Sequence, residues 1–313
     1  MSDKSWLDLG TRVSSEQSNN EILLKSKGDY TVTLSPVLMH DDVMGKIATF
    51  PNRFIINRVS LDQTHRIMWE VVKERYSVVP NSSILDRARD IVAKANGAAS
   101  LHSCGVLEEG RKFFVAVKHS STNILSTMGE DVIDNYIVVI TSHDGSMPVC
   151  YYNLDVRAET NSVYRFSTDA DFSLRKRHTP NETIDPMDAT EALTMRQIWS
   201  EKFDLIISDF TSSHMSSDKL FKVMEMFWST QGASSAKKRS NAEDVHETIK
   251  TIYRQPHNLG RFGDTKWAAY NAIMEYIDFH RDIPPIEAAQ HSLELDNYSH
   301  RLKVNVFNAI QDA

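Results

Sequence analysis

The sequence predicts an α+β protein: a twisted antiparallel sheet carrying one packed helix, followed by a helical C-terminal region. Two β-rich segments precede a single amphipathic helix, further strands follow in two hairpins, and amphipathic helices fill the chain after about residue 185. Because the strands do not alternate with helices, this order favours α+β over α/β. We therefore divide the chain into an N-terminal arm at 1–52, a sheet domain at 53–185 and a helical region at 186–313.

The first strands and the helix have clear local signals. Residues 54–59 and 67–79 are rich in β-branched and aromatic residues, and a turn at 62–65 separates them. A helix follows at 82–95 because its apolar residues recur at helical spacing. These residues are Ile84, Leu85, Ala88, Ile91, Val92 and Ala95.

The remaining elements follow in order. Strands are predicted at 100–106 and 112–118, and at 136–142 and 147–152, where Asp144-Gly145 is typical of a tight turn. These strands and the earlier pair give an expected sheet of five to seven strands. Helices are predicted at 188–210, 218–228, 242–254 and 265–280, with more after Pro284. The small, polar and basic segment 231–240 is predicted to be a mobile loop.

The composition limits the class of protein. The chain has 313 residues, of which 41% are hydrophobic, so it can bury a sizeable core. Its net charge of -7 means that any nucleic-acid surface must be local. Two cysteines do not suggest a disulfide framework. We see no signal peptide and no apolar run of ~18 residues, so we expect no membrane contact and a cytoplasmic location in the host cell.

Short motifs spread along most of the chain resemble those of one known family. They lie at 6–11, 75–81, 105–113, 141–146, 177–179 and 263–278. As an ordered set they resemble the phage- and plasmid-encoded family called domain of unknown function 932, which implies a soluble intracellular α+β protein. The chain departs from that pattern after Arg157, where the family's usual cysteine is missing. The element order also resembles phage single-strand annealing recombinases, as a fold-level analogy only.

Three segments contain residue types found in enzyme or metal sites, and each has a simpler interpretation. His102 and Cys104 share one face of a predicted strand, which is more typical of a half-buried strand face than of a metal site. Residues 260–266 lack the ending of a phosphate-binding loop. Residues 143–146 include His, Asp and Ser, but neighbours within one tight turn cannot form a catalytic triad. We therefore predict no enzyme, metal or cofactor.

Local charge favours nucleic-acid binding. Residues 53–180 hold 16 Lys and Arg against 15 Asp and Glu, whereas the rest of the chain is acidic. Cations interleaved with aromatic residues can neutralise phosphates while bases stack. We therefore expect single-stranded DNA binding, as in strand annealing by a homo-oligomer of a phage or mobile element. The predicted contacts are Lys73, Arg75, Arg111, Lys112, Arg157, Arg165, Arg175, Lys176 and Arg177.

Two alternatives stay open. An ordinary mixed surface with core aromatics explains the same residues without any DNA. The protein can also be an interaction module that binds a host or phage protein through its helical half, where the segment 224–228 is rich in methionine. The basic run 237–239 is a further candidate contact for DNA or a partner, although a solvated loop explains it equally.

Overall fold

The computed structural model describes residues 5–60, 66–126, 129–166, 173–179 and 185–313, and it has the predicted α+β fold. Its strands lie in two antiparallel sheets rather than one. The predicted turn at 62–65 lies outside the described residues. The strands are β1 (Thr11–Arg12), β2 (Thr31–Asp41), β3 (Lys46–Val59), β4 (Arg66–Lys73), β5 (Ser100–Leu107), β6 (Lys112–Ser126), β7 (Gly129–Ser142), β8 (Val149–Arg157), β9 (Val163–Tyr164) and β10 (Ser173–Lys176).

The main sheet has seven strands in the order β1-β5-β6-β7-β8-β10, with β9 paired to β8. Helix α2 (Asn81–Lys94) packs on one of its faces, as the helical spacing predicted. Ile84, Leu85 and Ile91 of α2 are fully buried in a cluster with strand residues such as Val115. The helix starts directly after Pro80, whose fixed φ suits the entry to a helix.

The smaller sheet has the order β2-β3-β4, and β2 and the first part of β3 lie in the segment 1–52 that was predicted to be an N-terminal arm. Residues 5–52 of this arm contain α1 (Asn19–Lys25), two complete strands and part of a third, and the buried Trp6, so the arm contributes strands to both sheets. Strands β2 and β3 pair continuously from Thr31 opposite Val59 to Asp41 opposite Lys46 apart from one bulge. Strand β4 pairs with β3 only as far as Arg53, so residues 38–50 form a two-stranded ribbon beyond the sheet. We call this part the hairpin ribbon.

The C-terminal region is helical from Pro186, as predicted. Its helices are α3 (Pro186–Ser212), α4 (Ser217–Phe227), α5 (Ala236–Tyr253), α6 (Lys266–Glu275), α7 (Pro285–Leu293) and α8 (Tyr298–Gln311), with π-helical turns at Pro256–Gly260 and Tyr276–His280. Ile133 and Tyr164 of the main sheet share a core with Trp267 and Tyr270 of α6. The sheet and the helices are therefore joined by a common hydrophobic core.

The basic run in the helical region is not a loop. Helix α5 begins at Ala236, and the Ser235 hydroxyl caps it by accepting a hydrogen bond from the backbone N–H of Lys238. The exposed residues Lys237, Lys238 and Arg239 therefore lie in its first helical turn. No helix in the described part of the chain combines the length and hydrophobicity needed to cross a bilayer.

Candidate nucleic-acid interface

Two of the nine cations predicted to contact DNA are buried inside the protein. Arg157, at the end of β8, is 1% exposed. Its guanidinium lies 2.8 Å from the Asp131 carboxylate and donates a hydrogen bond of 2.6 Å to the Asn258 side chain. It thereby ties the main sheet to the π-helical turn that contains Asn258. The prediction that Arg157 contacts DNA is wrong, because its donors are used within the core.

Arg165 has a similar structural role further along the chain. Its guanidinium donates hydrogen bonds to the backbone carbonyls of Asn153, at 3.3 Å, and Ser292, at 3.0 Å. It also lies 5.6 Å from the centre of the Tyr152 ring. The five fixed donors of a guanidinium suit it to satisfying carbonyls from several segments at once. Arg165 is 6% exposed, so the prediction that it contacts DNA is also wrong.

Four more of the predicted cations lie near carboxylates. A phosphate would compete with these carboxylates, so these cations alone do not make a groove for a polynucleotide. The pairs are Lys112 with Glu108 at 2.6 Å and Glu294 at 3.0 Å, Arg175 with Asp296 at 2.8 Å, Lys176 with Asp188 at 2.9 Å, and Arg111 with Asp144 at 4.0 Å.

The last three predicted cations are exposed, and their side chains form no ion pair or hydrogen bond with the described residues: Lys73, Arg75 and Arg177. One backbone contact brings their segments together, because the N–H of Ser77 donates to the carbonyl of His178 at 3.2 Å. Arg75 and Arg177 are thus each within two residues of the same hydrogen bond, just beyond the end of β4.

A stacked pair of rings supports this position. Tyr76 lies against His178, with ring centres 5.2 Å apart and an angle of 10° between the planes. The Tyr76 hydroxyl donates to the carbonyl of His143 at 3.2 Å. Burial lowers the pKa of His178, which favours the neutral ring. A neutral ring can donate to the carbonyl of Ser77 from Nδ1 and accept from the Thr141 hydroxyl at Nε2.

A fourth cation, Arg53, belongs to the same surface and was missed in the sequence. Arg53 of β3 is directly opposite Lys73 of β4, and Ile55 is opposite Val71. Since side chains alternate along a strand, these four residues share one face of the smaller sheet. Val71 on that face is 53% exposed, so the face points to solvent. We call Arg53, Lys73, Arg75 and Arg177 the cationic patch.

The pairing of Arg53 with Lys73 has an energetic consequence. Like charges directly opposite in an antiparallel pair destabilise a sheet, by about 0.2–1 kcal/mol. The guanidinium of Arg53 hydrogen-bonds only to the adjacent carbonyl of Asn52, at 3.2 Å, among the described residues. An anion placed between the two cations would remove the repulsion. The arrangement therefore favours binding of a negatively charged group.

The catalytic-looking turn at 143–146 has a structural role. His143 is fully buried, and its Nε2 lies 2.7 Å from the side-chain oxygen of Asn81. Burial, with a smaller contribution from His178, lowers the pKa of His143 to about 3. Asp144 accepts a hydrogen bond from the backbone of Ser146, and Gly145 has the positive φ that the turn demands. No group of three metal-ligating side chains in the described ranges is arranged to hold a metal ion.

Comparison with known proteins gives one match. Residues 68–303 match the family model described as "Domain of unknown function (DUF932)". No curated protein and no solved structure matches the chain. The matched range includes Lys73, Arg75 and Arg177 but not Arg53 or the hairpin ribbon.

Proposed function

Because the chain belongs to the domain of unknown function 932 family, whose description names no activity, we propose a function from its surface: binding of single-stranded DNA at the cationic patch. The observation that carries the proposal is the placement of Arg53 opposite Lys73 on an exposed sheet face. The two cations repel one another in the free protein, and a phosphate between them would convert that repulsion into attraction.

The neighbouring surface suits an unpaired strand. Val71 and Ile55 offer apolar contacts beside the cations, and Phe50, three positions before Arg53 in β3, is an aromatic residue that is 43% exposed. Bases of a single strand are free to stack on such groups, whereas bases inside a duplex are not. Single-stranded DNA is therefore expected to bind more tightly than duplex at the same salt concentration.

The charge of the whole protein limits the affinity. A net charge of -7 repels a polyanion at long range, so binding depends on the few local cations. Four phosphate contacts give a slope of about -3 for log K against log salt on a single strand. Binding should be measurable at low salt and weaken steeply as salt is added.

The test is fluorescence anisotropy of a labelled single-stranded oligonucleotide and of its duplex across a salt series. The double variant Lys73→Glu with Arg75→Glu should lose most of the binding. The matched control reverses two exposed cations of α4, Lys219→Glu with Lys222→Glu, and makes the same change in net charge. Equal loss in both variants would show a nonspecific charge effect. No binding by the natural sequence at low salt would reject the proposal.

The alternative function, a protein-interaction module acting through the helical half, has one structural feature in its favour. In the methionine-rich segment, Met224 is 1% exposed and belongs to the core, whereas Met226 is 71% exposed. On α3, however, Ile198 and Leu205 are seven residues apart and 48% and 73% exposed. A protein that fails to bind DNA at low salt would favour this alternative. The phage or mobile-element setting and the cytoplasmic location stay predictions.

A further inference from the structure

A concave pocket lies at the base of the smaller sheet and shares no residue with the cationic patch. It has a volume of about 450 Å³ and opens between α1, the start of β2 and the first turn of α2. Small-molecule sites usually have volumes of about 300–1,000 Å³ and are mainly apolar with a few polar groups. This pocket has that character, because its apolar walls include Leu23, Leu24, Val32, Val78 and Pro80.

Hydrogen bonds to other parts of the protein fix the walls of this pocket. The Asn81 side chain donates to the carbonyl of Gly28 at 2.8 Å, and the Tyr30 hydroxyl donates to the carbonyl of Gly110 at 2.7 Å. Asp29 lies between these two anchored positions in the chain, so its place in the pocket is set before any ligand binds. A site formed in advance loses less free energy to ordering when it binds a ligand.

Among the described residues that line the pocket, Asp29 alone is charged. It is half-buried, and its carboxylate forms no ion pair or hydrogen bond with a described residue. Because apolar walls lower the local dielectric constant, this carboxylate attracts a cation more strongly than a fully exposed one would. The Thr31 and Ser82 hydroxyls and the Asn20 amide line the same pocket and can accept further hydrogen bonds from an ammonium group.

Two positive features lie near the pocket, and neither pairs with Asp29. Helix α2 begins without a side-chain cap, so its start carries about half a positive charge, against a full negative charge on Asp29. Arg58 lies 4.4 Å from the centre of the Tyr30 ring, but its guanidinium donates to the carbonyl of Glu109 at 2.6 Å. The lining of the pocket is therefore apolar and carries a net negative charge.

We propose that this pocket binds a small amphipathic amine, with its apolar part against Leu23, Val32 and Val78 and its ammonium group at Asp29. The ammonium donates hydrogen bonds to the carboxylate. An alcohol of the same shape gains a hydrogen bond to the same carboxylate but no ion pair, and a carboxylic acid, ionised at neutral pH, is repelled. The site does not depend on DNA binding and is testable without DNA.

The experiment compares three compounds that share one apolar part: 4-phenylbutylamine, 4-phenylbutanol and 4-phenylbutanoate. Binding of each to the full chain is measured by NMR titration at pH 7 and low salt. The dissociation constant of the amine should be on the order of a millimolar, as expected for a compound of this size. It should be about tenfold lower than that of the alcohol, and the carboxylate should bind most weakly.

Three variants locate the binding. Asp29→Asn should remove the advantage of the amine over the alcohol, whereas Asp204→Asn makes the same charge change at an exposed position of α3 and should keep it. Thr31→Trp places a large ring at an exposed position of the pocket lining and should weaken binding of all three compounds. Equal binding of the amine and the alcohol by the natural sequence would overturn the proposal. So would an advantage of the amine that survives Asp29→Asn, or binding that Thr31→Trp leaves unchanged.

A basic side chain of a second copy of this chain is the competing occupant of the pocket. In that case sedimentation velocity would show self-association that the amine reverses, and this result would overturn the small-molecule proposal. Sedimentation that the amine leaves unchanged, together with the expected order of the three compounds, would support it.

Discussion

Arginines lie at two contrasting places in this fold. At the junction between the main sheet and the helices, Arg157 and Arg165 are buried and use their donors on fixed partners. On the smaller sheet, Arg53 is directly opposite another cation and bonds only its neighbour's carbonyl among the described residues. A basic residue can therefore be interpreted as part of a binding surface only when its partners in the structure are known. The buried cations hold the protein together, whereas the cationic patch carries an energetic cost that an anion would relieve.

The largest expected effect comes from breaking the junction. Arg157→Ala removes one member of a pair whose side chains are 1% and 0% exposed, and it leaves the buried Asp131 with only the more distant Arg261, at 3.9 Å, as a cationic partner. Loss of one partner of a buried pair costs about 3–5 kcal/mol in the free energy of unfolding. Urea denaturation followed by circular dichroism should show a correspondingly lower midpoint.

Arg175→Ala is the matched control for that variant. Its ion pair with Asp296 joins side chains that are 40% and 62% exposed, so its loss should cost about 0–1 kcal/mol. Similar destabilisation by the two variants would contradict the distinction between buried and surface cations on which the comparison rests.

A buried histidine beside the patch gives a pH-dependent effect of intermediate size. Burial holds the pKa of His143 at about 3, below its ordinary value of 6.5. As the pH falls below 6.5, His143 is protonated in the unfolded chain before it is protonated in the folded protein. The free energy of unfolding therefore decreases from its value at neutral pH. Between pH 7 and pH 5 this group should remove about 2 kcal/mol.

The variant His143→Gln, which retains a side-chain hydrogen-bonding group, should lose less stability over that pH interval than the natural sequence. The exposed His40→Gln serves as the control. The measured quantity is the change in urea midpoint between pH 7 and pH 5. An identical change in the natural protein and in His143→Gln would show that His143 does not contribute to the acid sensitivity.

The sequence predicted elements whose signals are local. The helix at 82–95 is α2 to within one residue, because its apolar spacing depends only on neighbouring positions. The hairpin of β2 and β3 was missed, although the alternation of Val32 and Leu34 with threonine and serine and the glycine at position 45, which has a positive φ in the turn, are signals that indicate it. The polar composition of the N-terminal segment favoured an arm over a hairpin.

The candidate site was harder to predict because it depends on distant pairing. Arg53 and Lys73 are 20 positions apart, and a bulge between Ile55 and Asn57 shifts the register that aligns them. Nothing in either local sequence reveals that alignment. Likewise, the burial of Arg157 depends on Asn258, about a hundred residues away in the chain. Long-range register and burial, rather than residue type, separate the binding candidates from the structural cations.

The smallest expected effect is on the free energy of unfolding, and its sign differs between the smaller sheet and the junction. It therefore gives the sharpest comparison. Lys73→Gln removes one of two facing cations, so it should raise the free energy of unfolding by about 0.2–1 kcal/mol while weakening single-stranded DNA binding. At the junction, loss of a cation lowers stability. Lys222→Gln on α4 is the control, since it removes the same charge from an exposed helix position, and it should change neither stability nor DNA affinity beyond error. DNA affinity and the free energy of unfolding should change in opposite directions only where two cations repel one another in the free protein. A Lys73→Gln protein that is less stable than the natural one would therefore remove the physical basis for an anion site on this sheet.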